Sequence, residues 1–136
     1  MGIACIIDDD PIQALIIERM LSSYKICDKL LVFKNGLEAL QYFQANFSNP
    51  EMVPDIILLD INMPVMNGWQ FLDEFKDLRP SIDKKIILYM VSSSIWPEEM
   101  EKAKTYSVVT DYIVKPITMQ ELAKTLRRAG LVIQEN

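Results

Sequence analysis

"DIILLDINMP", residues 55 to 64, is an apolar run that ends on an acid. Ile56 to Leu59 leave no polar face, as in a strand covered on both sides, and Asp60 stands where Asn62, Met63 and Pro64 open a loop. Taken alone, Asp60 reads first as a turn former, because its side chain can hydrogen-bond nearby backbone. The rest of the chain changes that reading.

Four further apolar runs share the same character: IACII (3–7), KLLVF (29–33), KIILYMV (85–91) and VTDYIV (109–114). Amphipathic stretches separate them. Asp10, Pro11 and Gln13 supply an N-cap, a proline at the first helical position and a glutamine three after the cap. Ile12, Leu15, Ile16 and Met20 follow at helical spacing. Asn35 and Asn67 each precede a glycine and a helical pattern, Pro97, Glu98 and Glu99 suit the first turn of a fourth helix, and Thr118 with Glu121 forms a capping box for a fifth. Strand and helix alternate five times. This predicts an α/β fold: a doubly wound, five-stranded parallel sheet with right-handed crossovers and helices on both faces. A single domain over 1–136 is expected, with one long polar connection at 45–54 and a tail fraying after about residue 130.

The totals narrow the function. Lys and Arg number 14 against 19 Asp and Glu, a net charge of −5, which argues against a nucleic-acid surface. No apolar run approaches the ~20 residues of a membrane span, and the N-terminus lacks the pattern of a signal peptide. Cys5 and Cys27 form no CxxC pair, as expected of reduced thiols in a cytoplasmic protein. There is no histidine, so a Ser-His-Asp triad, a zinc site with His ligands and a phosphohistidine carrier are excluded.

The polar residues fall at strand ends: Asp8, Asp9 and Asp10 after the first, Asp60 after the third, Ser92 to Ser94 after the fourth, Lys115 and Pro116 after the fifth. Each has a plain explanation as a cap, turn or solvated side chain. In an open parallel sheet, however, all carboxyl ends share one edge, and ligands bind there where strand order reverses. Asp8, Asp9 and Asp60 brought together would repel by ~1–4 kcal/mol per pair at about 4 Å. Lys115 offsets one charge, and a small hard cation suits the remainder, with Mg²⁺ commonly taking one or two carboxylates, waters and phosphate oxygens. Such a set is equipped for phosphoryl transfer, with a carboxylate as nucleophile.

The ordered motifs IIDDDP (6–11), LLDINMPVMNG (58–68), MVSSS (90–94) and DYIVKP (111–116) closely resemble the receiver domain of two-component response regulators, from Ile3 to about Gly130. The resemblance implies a flavodoxin-like (βα)₅ sheet of order 2-1-3-4-5. It also implies that Asp60 is phosphorylated and that Asp9 binds Mg²⁺ directly, Asp8 largely through water and Asn62 through its backbone carbonyl, with Asp60 completing the metal set. Lys115 would contact the phosphoryl group, with a cis bond to Pro116. Ser92 would bond the phosphate, Tyr112 would be the aromatic switch, and Asn62 and Ser94 would tune phosphate lifetime. The implied partners are a histidine kinase or histidine phosphotransfer protein and a downstream protein, with self-association also allowed. The downstream protein would be met on the face of the fourth helix, fifth strand and fifth helix, with Lys102, Lys104 and Tyr106 as candidates. Nucleic acid and membrane are not expected partners.

Two departures stand out. Val108–Val109 replaces the Gly-Ala of many relatives before the fifth strand, so the turn there must differ in shape, and the 45–54 connection is long. A stand-alone phosphoacceptor that signals by conformational switching is the leading expectation. The alternatives are a Mg²⁺-dependent phosphohydrolase of the haloacid dehalogenase type, disfavoured by the early Asp8–Asp9 pair in place of D-x-D and by the lack of room for a cap, and an unphosphorylated scaffold.

Overall fold

The computed structural model describes residues 2–133. Five parallel strands, β1 (Ile3–Ile7), β2 (Lys29–Phe33), β3 (Ile56–Asp60), β4 (Ile87–Ser92) and β5 (Asp111–Val114), form one sheet of order β2-β1-β3-β4-β5. Helices α1 (Pro11–Ser23), α2 (Gly36–Asn46), α3 (Gly68–Leu78), α4 (Pro97–Lys104) and α5 (Met119–Arg128) connect and cover it. The chain reverses direction across the sheet between β1 and β3, as the doubly wound expectation requires. Among the described residues no helix is long and apolar enough to cross a membrane.

Although the strands read as continuous apolar runs, alternate residues feed two separate cores. Cys5, Ile7, Ile57, Leu59, Leu88 and Met90 face α2 and α3, where Phe43, Phe71 and Phe75 pack. The Phe43–Phe75 and Phe71–Phe75 centroids lie 5.3 and 5.2 Å apart. Ala4, Ile6, Leu58, Tyr89 and Ile113 face α1 and α5, meeting Ile17, Leu21, Leu122 and Leu126. Two tyrosines enter this second core with their hydroxyls satisfied: Tyr89 donates to the Thr125 carbonyl at 3.0 Å and Tyr24 to the Met119 carbonyl at 2.7 Å.

Several sequence expectations need correction. The stripe Ile12, Leu15, Ile16 lies outward, with exposures of 70, 45 and 43%, and α1 instead buries Ala14, Ile17 and Leu21. The Asp10 cap is real, accepting from the Ile12 and Gln13 amides, but the Asp10 amide donates to the Asp8 carboxylate rather than to Gln13. Thr118 likewise caps α5 through the Glu121 amide only, whereas the reciprocal box belongs to Asn67 and Gln70 at α3. β3 starts one residue late and includes Asp60, while the Asp55 backbone still bonds Ile3 and Ile87 and its carboxylate accepts from the Ile3 amide and pairs with Lys84. β4 starts at Ile87 and β5 at Asp111.

The long connection at 45–54 is held rather than loose. It contains a 3-10 turn, Pro50–Met52, whose end is gripped by the Tyr42 hydroxyl on the Met52 carbonyl and by the Lys84 ammonium on the Pro50 and Val53 carbonyls. At Val108–Val109 neither valine takes positive φ, and the turn closes by the Val109 amide donating to the Tyr106 carbonyl at 3.0 Å. The end of α5 is closed by the Gly130 amide on the Arg127 carbonyl and the Leu131 amide on the Leu126 carbonyl, with Gly130 at φ +89°. Of the tail expected to fray after about residue 130, Leu131 and Ile133 pack partly against the second core, and 134–136 lie outside the described residues.

Candidate phosphoacceptor site

Register places the site. Ile7 pairs with Leu59, so Asp8 follows β1 beside Asp60 at the end of β3, and Asp60 pairs with Val91 immediately before Ser92. The Lys115 amide donates to the Ser92 carbonyl at 2.8 Å, which carries the ladder one step past β5. The Lys115–Pro116 bond that follows is cis. Acids, serine and lysine therefore arrive at one edge because four strands end together.

Asp8 and Asp60 are buried, 4 and 7% exposed, while Asp9 is exposed. Ligand oxygens of all three lie within 4.8 Å of one another. The Lys115 ammonium stands 3.2 Å from Asp60 and 3.5 Å from Asp8. It does not balance them. Burial raises the Asp60 carboxyl above its ordinary value, the neighbouring Asp8 charge adds to the rise, and Lys115 opposes it. Burial likewise raises Asp8, against the Asp10 amide and Lys115. Two buried acids held by one cation, with an exposed third acid alongside, fit a small divalent ion that takes carboxylate oxygen and water.

Ser92 is buried at the end of β4. Its Oγ accepts from the Ser94 amide at 3.1 Å and still has its O–H to donate. Ser94 Oγ in turn accepts from the Trp96 amide at 3.3 Å, so Ser94 shapes the entry to α4. Tyr112 is half-buried, and its hydroxyl donates to the Ser94 carbonyl at 3.1 Å, tying the ring to that same loop. Asn62 is exposed in the loop after Asp60.

Lys102 and Tyr106 do not stand on the face toward β5. The Lys102 ammonium lies 4.4 Å from the Trp69 ring centroid and Tyr106 stacks on Trp69, so both turn to α3. Of the three candidates only Lys104 borders the cavity of about 310 Å³ between α4 and β5, together with Met100, Ala103, Val109 and Tyr112.

Two features of the β3–α3 loop went unread in the sequence. Gly68 sits against the strand end: a Cβ there would lie 2.6 Å from the Asp60 carbonyl oxygen and 2.9 Å from Ile61 Cα. Its amide donates to the Ile61 carbonyl at 2.8 Å. The Asn-Gly pair signalled only a helix start. Gly68→Ala is expected to cost about 1–3 kcal/mol through forced backbone shifts, read by denaturant unfolding. Val65, in turn, has φ +68° while the Met66 amide bonds the Pro64 carbonyl at 2.7 Å, a strained γ-turn on a β-branched residue. Val65 is 74% exposed, so little packing is at stake. Val65→Asn, which tolerates this conformation, should raise the unfolding free energy by about 1 kcal/mol. The check is a higher denaturant midpoint at unchanged slope.

Residues 4–127 match the family model described as response regulator receiver domain. The transcriptional regulatory protein ZraR of Klebsiella oxytoca is 31% identical over 91% of this chain, and the sensor histidine kinase CheAY of Helicobacter pylori is 32% identical over 90%. The chain spans only 25% and 14% of the lengths of those two relatives. A crystal structure of a two-component response regulator from Cytophaga hutchinsonii superposes with TM-score 0.81 at 28% identity, covering 93% of this chain and 94% of that one.

Proposed function

Because the chain belongs to the response regulator receiver domain family, we propose that Asp60 accepts a phosphoryl group from a phosphohistidine on a kinase or phosphotransfer protein. The observation that carries this reading is the Lys115 ammonium facing both buried acids, Asp60 and Asp8, at the shared strand edge. An Asp60 carboxylate oxygen attacks phosphorus, forming the O–P bond as the P–N bond breaks and its electron pair returns to the donor imidazole. Lys115 then pairs with phosphoryl oxygens, and the Ser92 hydroxyl donates to one of them. Asp8, Asp9, Asp60 and the Asn62 carbonyl would hold Mg²⁺, which supplies positive charge against the transferring group. Asn62 and Ser94 flank the path of the water that later hydrolyses the acyl phosphate.

The chemistry of such a domain is limited to its own phosphorylation and dephosphorylation, which sets aside a phosphohydrolase with substrate turnover. The signal in this reading passes from Ser92 through the Ser94 loop to Tyr112, whose hydroxyl is bonded to that loop. Movement there reshapes the cavity between α4 and β5, where a target protein would dock. The two free thiols support a reducing, cytoplasmic setting. The test is incubation with Mg²⁺ and acetyl phosphate: the intact mass should rise by a single phosphoryl group, labile to mild alkali. No mass gain at saturating Mg²⁺ would overturn the reading.

A further inference from the structure

Helix α4 has little to hold it. It is eight residues long, buries only Ala103, and its N-cap, Trp96, provides no side-chain bond. A helix this short does not persist on its own hydrogen bonds. Its first turn hangs from the Ser92–Ser94 loop, through the Trp96 amide on Ser94 Oγ. Its other end meets a compact set of side chains from α3. Tyr106, two residues past α4, stacks on Trp69 at 6.0 Å with the ring planes 28° apart. The Lys102 ammonium caps the opposite partner of that stack, 4.4 Å from the Trp69 centroid, and Lys76 lies 5.7 Å from the Tyr106 ring. The Tyr106 hydroxyl donates to Asp73 at 2.6 Å, and that bond pushes its ionisation up to about 12, so the donor persists at ordinary pH.

We propose that Trp69, Lys102, Tyr106 and Asp73 form a clasp pinning the last turn of α4 to α3, and that this clasp is the fixed end about which α4 moves when Asp60 is phosphorylated. The second half rests on the phosphoacceptor reading; the first does not. The fixed end has a defined root. Trp69 follows Gly68, which is seated on the Asp60 carbonyl and Ile61, so the clasp keeps a constant relation to the backbone that carries the acceptor. The opposite end of α4 is led by the Ser92–Ser94 loop, which the Tyr112 hydroxyl also holds. A helix fixed at one end and led by a loop at the other converts a small shift of Ser92 into rotation over the cavity lined by Met100, Ala103 and Tyr112.

Amide hydrogen exchange on the intact chain tests both halves, in wild type, Trp69→Leu and Lys102→Met. Lys102 is exposed, so its variant remains informative if Trp69→Leu does not fold. Without any phosphoryl mimic, amides 102–105 should exchange about tenfold faster in Trp69→Leu and about two- to fivefold faster in Lys102→Met, while amides at the ends of α1, which open locally with the clasp intact, stay unchanged. With beryllium fluoride and Mg²⁺, wild type should change at 93–100 and keep 102–105 slow, whereas the variants should change along all of α4. Unchanged protection of 102–105 in the variants would overturn the clasp. A wild-type response as strong at 102–105 as at 93–100 would overturn the fixed end. A wild type that responds nowhere overturns the phosphoacceptor reading, and the pivot with it, leaving the clasp to stand or fall on the mimic-free comparison.

Discussion

The Asp60→Asn protein should accept no phosphoryl group with Mg²⁺ and a phosphodonor present, and in metal-free buffer at pH 7 should be more stable than its parent. Burial is the main cause of the raised Asp60 carboxyl, and the Asp8 charge is the next. Asparagine keeps the shape and removes the charge. The Lys115–Asp60 pair at 3.2 Å is lost, but Lys115 retains Asp8 at 3.5 Å. The relief of like charge and burial outweighs the lost pair, and a gain of about 1–2 kcal/mol is expected, a fraction of a close pair's Coulomb energy at intermediate dielectric. The sign fixes the pH dependence. Asp8 and Asp60 both bind protons more tightly folded than unfolded. Their favourable contribution is therefore full below the unfolded carboxylate value, near 4, and is lost as pH rises through the raised folded values. Parent stability should fall across that window without metal, less steeply in Asp60→Asn, and recover with Mg²⁺, as an ion held by the folded acids alone would require. Urea midpoints from pH 3.5 to 7.5, with and without Mg²⁺, measure all of this. A parent whose stability rises over the window without metal would show that the acids are not held as described.

Removing the cation should do the opposite, and by more. Lys115→Met leaves two buried carboxylates without their shared partner, and breaking a buried pair costs about 3–5 kcal/mol. The loss should be larger at pH 7 than near pH 4, because acids held above the ordinary carboxylate value take up protons as pH falls toward it. In the Asp60→Asn background it should shrink, because one of the two contacts is already gone, so a double-mutant cycle reads the coupling directly. Equal losses at both pH values would mean that Lys115 stabilises by packing its stem rather than by charge.

The legible parts of the molecule are those set by strand ends. β1 and β2 stand where the apolar runs placed them, and Asp8, Asp60, Ser92 and Lys115 meet because parallel strands finish on one edge. The phase of α1 was not legible. Apolar residues at 12, 14, 15, 16, 17, 20 and 21 go nearly round the helix, so two stripes compete and periodicity cannot choose. Side-chain direction at the end of α4 was hidden for another reason. Lys102 and Tyr106 look like exposed polar-face residues until Trp69, over thirty positions earlier, supplies a ring for both. Gly68 and Val65 were hidden because close backbone approach and positive φ leave no mark in a pattern of polarity. The outward Ile12, Leu15 and Ile16 remain without a covering partner among the described residues.

The central claim is that Asp60 itself takes the phosphoryl group. The direct measurement is peptide mapping by tandem mass spectrometry after incubation with Mg²⁺ and a small phosphodonor, in wild type and Asp60→Asn. The account predicts a single phosphorylated peptide whose fragments place the group on Asp60, and no label in the variant. Phosphate on any other side chain, or labelling of Asp60→Asn to the wild-type extent, would contradict it.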